Sequence, residues 1–424
     1  MRWLLVAVLL FTVTSANAAP KSALRESKPL AWPSYAQLGP IAKAYVREPE
    51  YATMAKDPGV ELSRIVYAVG SVDAVAIACR PRDASPKATK PLLLYLHGGA
   101  GERAKIGADN FQSVLEIRRF CMAGFVVIAP QYRGVDGGGG TDEVGGRDVD
   151  DVAALIPLAR GFGYVDVRRT FAWGFSRGAM MALQLVRDGV PLTAVVAVGT
   201  GADFGEGLRK LPEFAKDVPD DAKTTAGIER RSPIRWVGKL AAVPILFLHG
   251  AEDPASPAAD LATLVGKLLE ANALCELHLY AREDHPISGH LDEVHDRSID
   301  WFQHVRKRSI ATEFDKTLRA STATAAAARV RSLRKTEPDR WEFGERELNR
   351  LGYGYLFQGQ HANAVAAFEL NVELYPKSAN AWDSLGEGYE TAGRKADAAR
   401  AYAKAFALDP SNTRAQQKAT ELKR

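Results

Sequence analysis

The sequence predicts an α/β domain built on a mostly parallel sheet with helices on both faces, followed by an all-α repeat domain. Two observations carry this prediction. Short apolar and β-branched runs alternate with helical patterns between residues 64 and 305. Beyond them the chain repeats itself, with Leu351-Gly352 recurring 34 residues later as Leu385-Gly386.

The chain opens on "MRWLLVAVLLFTVTSANAAP", which has one cation at Arg2 and an apolar run from Trp3 to Val13. Small residues follow, with Ala16-Asn-Ala18 spaced for cleavage, so residues 1–19 are expected to be a secretory signal peptide. The apolar run is short for a bilayer crossing, and no later stretch has 18 uninterrupted apolar residues. An exported, periplasmic or secreted protein is therefore expected, with no membrane contact after cleavage. Apolar residues make up 46% and charged residues 25%, with a formal charge of +4. That balance is ordinary for a globular chain and gives no reason to expect nucleic acid as a partner. Three cysteines, Cys79, Cys121 and Cys275, allow at most one disulfide and read as small buried hydrophobes. No Cys/His cluster suggests zinc, and no metal or other cofactor is expected.

Residues 20–63 are mixed and Pro-containing and read as a poorly defined lead-in. The strand candidates then run in order as residues 64–69, 74–79, 92–96, 125–129, 170–173, 194–198, 244–248 and 276–280. The middle ones are continuously apolar, as strands covered on both faces should be. Patterns such as "VDDVAALIPLA" (149–159) and "AADLATLVGKLLEA" (258–271) supply the helices between them. Residues 306–344, rich in Ala, Arg and Thr, read as a helical connector.

In residues 345–424, Tyr355 recurs as Tyr389, Ala364 as Ala398, Phe368 as Tyr402 and Pro376 as Pro410. The second unit reads W-x-x-L-G-x-x-Y from Trp382 to Tyr389 and closes on Pro410. This resembles the tetratricopeptide repeat, with residues 413–423 as its cap. The resemblance implies a peptide or protein partner in a concave groove; a structural or dimerising appendage is the competing reading.

The chemistry centres on "AWGFSRGAMM" (172–181), a strand, a Gly-x-Ser-x-Gly turn and a helix of good formers. Such a turn lifts Ser176 above the carboxyl edge of the sheet, and its glycines relieve the crowding. A serine hydroxyl needs a base, and the base needs a carboxylate to orient it. "VPILFLHGAEDPASP" (243–257) places Asp253 in the loop after a buried strand, and "ELHLYAREDHPISGH" (276–290) places His285 in the next such loop. Both fall on the edge that carries Ser176. Glu252 and His290 are the competitors for these roles, whereas His249 is expected to pack within its loop. Oxyanion donors are expected from the backbone of Arg177 and from "LHGGAGE" (96–102), at Gly98 and Gly99. Tyr132 and Arg177 are candidate substrate contacts. The Arg177 side chain is either solvated or set to meet a substrate carboxylate.

"QYRGVDGGGGTDEVGGRDVDDVAALIPLA" followed by "YVDVRRTFAWGFSRGAMMAL", with "HGAEDP" and "EDH" further on, resembles the catalytic domain of the prolyl oligopeptidase family within the α/β-hydrolase fold. The resemblance covers residues 64–305. It implies Ser176 as nucleophile, Asp253 as orienting acid and His285 as general base. It also implies a serine-type peptidase acting on short peptides through an acyl-enzyme. A carboxylesterase with the same triad, and a non-catalytic scaffold for the repeats, are the alternatives. The larger members carry a β-propeller ahead of this domain, and residues 20–63 are too few for one. Arg177 and Ala179 stand where Tyr or Gly and a second Gly are usual, and Pro286 stands where Gly usually follows the histidine.

Overall fold

A central sheet of nine strands organises the first part of the computed structural model, which describes residues 22–305, 307–338 and 341–423. The expected signal peptide lies outside the described residues. The strands are β1 (Ser22–Pro29), β2 (Val60–Val69), β3 (Val72–Pro81), β4 (Lys90–Leu96), β5 (Val126–Pro130), β6 (Val165–Phe175), β7 (Ala194–Val198), β8 (Ile245–Gly250) and β9 (Cys275–Tyr280). Their spatial order is β1-β2-β3-β5-β4-β6-β7-β8-β9. From β5 to β9 all pairs are parallel, and β1, β2, β3 and β5 pair antiparallel. This is a mostly parallel α/β-hydrolase sheet.

The continuous apolar runs are explained by two cores, one on each face. Along β4, Leu92, Leu94 and Leu96 enter one core while Leu93 and Tyr95 enter the other. Along β8, Ile245 and Phe247 alternate with Leu246 and Leu248 in the same way. Helices Asp148–Arg160, Arg177–Arg187 and Ala258–Glu270 cover the first face. Helices Gln112–Met122 and Leu291–Gln303 cover the second. A strand with apolar residues on both sides has no period to read, yet its burial on both faces demands that composition.

From Ser22 on, the stretch read as a poorly defined lead-in belongs to the sheet domain, which does not begin at residue 64. Strand β1 pairs with β2 from Ser22↔Val69 to Pro29↔Ser63. Helices Pro40–Tyr45 and Glu48–Lys56 follow, and Ala42, Val46 and Tyr51 enter the second core. The signal was weak because β1, "SALRESKP", is an edge strand, largely exposed and charged. Charges on an edge discourage pairing with other chains but erase the alternation that marks a strand.

A second compact unit begins after Val305. The stretch read as a helical connector holds a helical hairpin, Ile310–Ala320 and Ala323–Thr336. Phe314, Val330 and Leu333 share one core with Leu348, Tyr355 and Phe368 of the repeats. The helices Glu345–Phe357, His361–Leu374, Ala379–Thr391 and Lys395–Leu408 form the repeat pairs, closed by Thr413–Glu421. A Cβ on Gly352 would stand 2.4 Å from Phe368, and one on Gly386 would stand 2.7 Å from Tyr402. The 34-residue period is thus one contact made twice, a helix backbone lying against an aromatic ring. No helix among the described residues is long and apolar enough to cross a membrane.

Candidate active site

Ser176 sits where β6 turns into the helix Arg177–Arg187, at φ 53° and ψ −119°. A non-glycine residue in that region is strained, and such strain is stored at functional sites. The surroundings hold it there. Ser176 N–H donates to Val198 O at 2.8 Å. A Cβ on Gly174 would lie 2.3 Å from Gly178 O, and one on Gly178 would lie 2.0 Å from Leu96 O. Both flanking glycines are therefore required by close backbone approach.

Ser176 Oγ–H donates to His285 Nε2 at 2.8 Å, and His285 Nδ1–H donates to Asp253 Oδ2 at 2.7 Å. Asp253 is buried in the loop after β8, and its Oδ1 accepts from the N–H groups of Ala255 (2.8 Å) and Ser256 (2.9 Å). Burial pushes the Asp253 carboxyl up. The hydrogen bond and charge of His285, with the Ser256 N–H, outweigh that and hold it below its ordinary value. An ionised acid at Nδ1 fixes the tautomer, so Nε2 carries the lone pair that faces the serine.

The competitors lie elsewhere. Glu252 is exposed, and His290 pairs with Glu283 Oε1 at 2.9 Å. His249 is buried, and its Nε2–H donates to Ser256 O at 2.7 Å, which helps shape the acid's loop.

Facing Ser176 is the loop after β4. A Cβ on Gly98 would lie 3.2 Å from the Ser176 Cβ, so this backbone lines the reaction centre. Gly99 takes φ +77°. Arg177 N–H is at the first position of its helix, where no intrahelical acceptor precedes it. A cavity of about 310 Å³ opens on Ser176 and His285, walled by Met180, Phe204, Leu211 and Phe214.

Residues 111–309 match the prolyl oligopeptidase family. This stretch is a prolyl oligopeptidase family domain. Over 172 residues the chain is 30% identical to the uncharacterized peptidase YtmA of Bacillus subtilis (strain 168), covering 38% of this chain and 62% of that protein. The chain therefore spans less than two thirds of that relative. The acylaminoacyl peptidase of Pyrococcus horikoshii superposes with a TM-score of 0.50 at 14% identity, covering 59% of this chain and 42% of that one, and shares the fold. The chain is also 30% identical over 88 residues to the tetratricopeptide repeat domain-containing protein PYG7 of Arabidopsis thaliana, covering 20% of this chain and 29% of that one.

Within this prolyl oligopeptidase domain, two candidate substrate contacts need correction. The Arg177 side chain is neither solvated nor available to a substrate carboxylate. It is buried, and its Nη1–H groups donate to Gly99 O (3.1 Å) and Asp142 Oδ2 (2.8 Å). Nη2 pairs with Asp142 Oδ1 at 2.5 Å and also with Asp148. Two acids already neutralise it. Tyr132 is also buried, with φ 63°, and its hydroxyl donates to His97 O at 2.7 Å. Its ring lies under the Arg177 guanidinium, 4.2 Å from ring centroid to Cζ. Both residues brace the loop that carries Gly98 and Gly99.

Asp142 and Asp148 were missed by sequence reasoning. The signal was present, since an arginine opening the apolar helix "RGAMMALQLV" must find carboxylates if it is buried. Asp142 also accepts from Gly101 N–H at 2.8 Å, which fastens the far end of the same loop. The helices between β7 and β8, which supply Phe204 and Phe214 to the cavity, carried no motif at all.

Proposed function

We propose that this chain is an exported serine hydrolase that cleaves short peptides through an acyl-enzyme on Ser176. The observation that carries this is the unbroken relay from Ser176 through His285 to Asp253, at 2.8 and 2.7 Å. His285 Nε2 takes the serine proton as Oγ attacks the carbonyl carbon. Asp253 stabilises the imidazolium that forms. The oxyanion is met by the backbone N–H of Arg177 and by the Gly98-Gly99 backbone. His285 then protonates the leaving amine, and a water, activated by the same base, releases the acid.

A peptide substrate is supported by the family and by the name of the Bacillus relative. Export is supported by the leader pattern of residues 1–19. A peptide or protein partner for the repeats is supported by the resemblance to tetratricopeptide arrays. A fluorophosphonate probe tests the core of the proposal. Wild-type protein should be labelled and Ser176→Ala should not. Labelling of the alanine variant, or a folded wild type that resists the probe, overturns it. Aminoacyl-nitroanilides and nitrophenyl esters, compared by kcat/KM, then test peptide against ester.

A further inference from the structure

A second cavity, of about 590 Å³, adjoins the one that opens on Ser176. The two share Gly99, Phe175 and Phe214, so the second also adjoins the reaction centre. Its walls include Tyr95, Trp173 and Phe175. An apolar substrate side chain would need nothing more. The polar groups set among these walls are what demand explanation.

Three of those groups, on Glu116, His295 and Gln112, present acceptor atoms. Glu116, on the helix Gln112–Met122, is buried and lines the cavity. It accepts from the buried Tyr95 hydroxyl. Among the described residues no Lys or Arg lies within 4 Å of its carboxylate; the nearest basic group is His295 Nε2 at 3.7 Å. His295 is almost wholly buried and also lines the cavity. Its Nδ1 lies 2.6 Å from Leu291 O. A carbonyl can only accept, so Nδ1 carries a proton, and in the singly protonated ring the lone pair lies at Nε2. That Nε2 is buried without a hydrogen-bond partner among the described residues, and so is the Gln112 Oε1 that lines the same cavity. Buried acceptors left unmatched are costly, and one ligand carrying several N–H donors and a positive charge would match these two and give Glu116 a counter-charge. Aromatic walls favour the same ligand through their π faces.

We propose that this cavity takes a cationic group of the substrate, with Glu116 as its counter-ion and His295 and Gln112 as further acceptors. This rests on the hydrolase reading above and adds a substrate class to it: peptides or esters with a positive charge beside the scissile bond. The charge can come from a basic side chain or from a free terminal amine.

The test uses the full chain. Benzamidine and its neutral isostere benzamide are titrated calorimetrically into wild type and Glu116→Gln, a change that keeps an acceptor for Tyr95. Benzamidine should bind wild type at least tenfold more tightly, and the variant should lose that advantage. Nitrophenyl esters of acetyl-lysine, acetyl-norleucine and unblocked norleucine then identify the source of the charge. A tenfold kcat/KM preference for the first over the second assigns a basic side chain. The same preference for the third over the second assigns a terminal amine. Equal binding of benzamidine and benzamide to wild type overturns the proposal. So does a cation preference that survives Glu116→Gln. Wild type that labels with fluorophosphonate but ignores benzamidine refutes this cavity's role alone. Wild type that binds benzamidine but does not label refutes the hydrolase reading instead.

Discussion

The side chain of Arg177 donates to Gly99 O at 3.1 Å, so the residue after the nucleophile clamps the loop that faces it. Backbone and side chain of one residue thus act on opposite sides of the site. Arg177→Lys keeps the charge but loses the fork that reaches Gly99, Asp142 and Asp148 together. Small misplacements of a reacting geometry can cost up to about 100-fold. The expected outcome is a fall in kcat of that order with little change in KM. Arg177→Met should do worse, because it strands the Asp142 and Asp148 carboxylates, at about 3–5 kcal/mol for breaking a buried pair. Thermal melts and steady-state kinetics on both variants check this. An Arg177→Lys enzyme with wild-type kcat would remove the loop-bracing role.

Asp253→Asn tests the relay from the other end. The amide can occupy the same space, but it can present an N–H to His285 and favour the wrong tautomer. The loss expected in kcat is about 10⁴-fold, with folding and KM nearly intact. Fluorophosphonate labelling should slow in parallel. A variant that labels at the wild-type rate would show that Asp253 does not orient the base.

His97 gives the fold a pH dependence. Burial pushes its pKa down from 6.5 to about 4, against hydrogen bonds that favour the charged ring. The unfolded chain therefore binds more protons than the folded one between those values. Stability is greatest above the unfolded pKa and falls as pH drops from about 6.5 toward 4. The contribution is at most about 3 kcal/mol, since each tenfold change in proton affinity is worth about 1.4 kcal/mol. Urea unfolding at pH 7 and pH 5 should show a lower midpoint at pH 5. His97→Gln should shrink the difference, and an unchanged difference would assign the effect to other groups.

The reach of sequence reasoning differed between elements for physical reasons. Ser176 follows β6 directly, and Asp253 and His285 lie in the loops after β8 and β9; topology alone brings such strand ends to one edge. Strand β1 was illegible because an exposed edge needs no apolar face. The side chain of Arg177 was misjudged because its partners Asp142 and Asp148 lie 35 and 29 residues away, inside a glycine-rich loop and at a helix start. Glu116 and His295 carried no motif, since each sits on a helix of ordinary amphipathic pattern. Only packing brings the two toward one cavity.

Glycines give the last prediction, because two kinds are present. Gly178 has no room, with a Cβ site 2.0 Å from the backbone oxygen of Leu96. Neither strand nor helix can retreat without breaking β4 or moving Ser176. Gly178→Ala should therefore yield insoluble or inactive protein. At Gly386 the atoms nearest a Cβ belong to the ring of Tyr402, the closest at 2.7 Å. A ring can turn or shift, so Gly386→Ala should cost about 1–3 kcal/mol of overpacking, partly offset by the helix preference for Ala. Tyr402→Leu in the same chain should recover part of that loss by removing the ring. Denaturant unfolding of the single and double variants measures the coupling. Strict additivity would mean that the Gly386–Tyr402 contact does not set the repeat's packing.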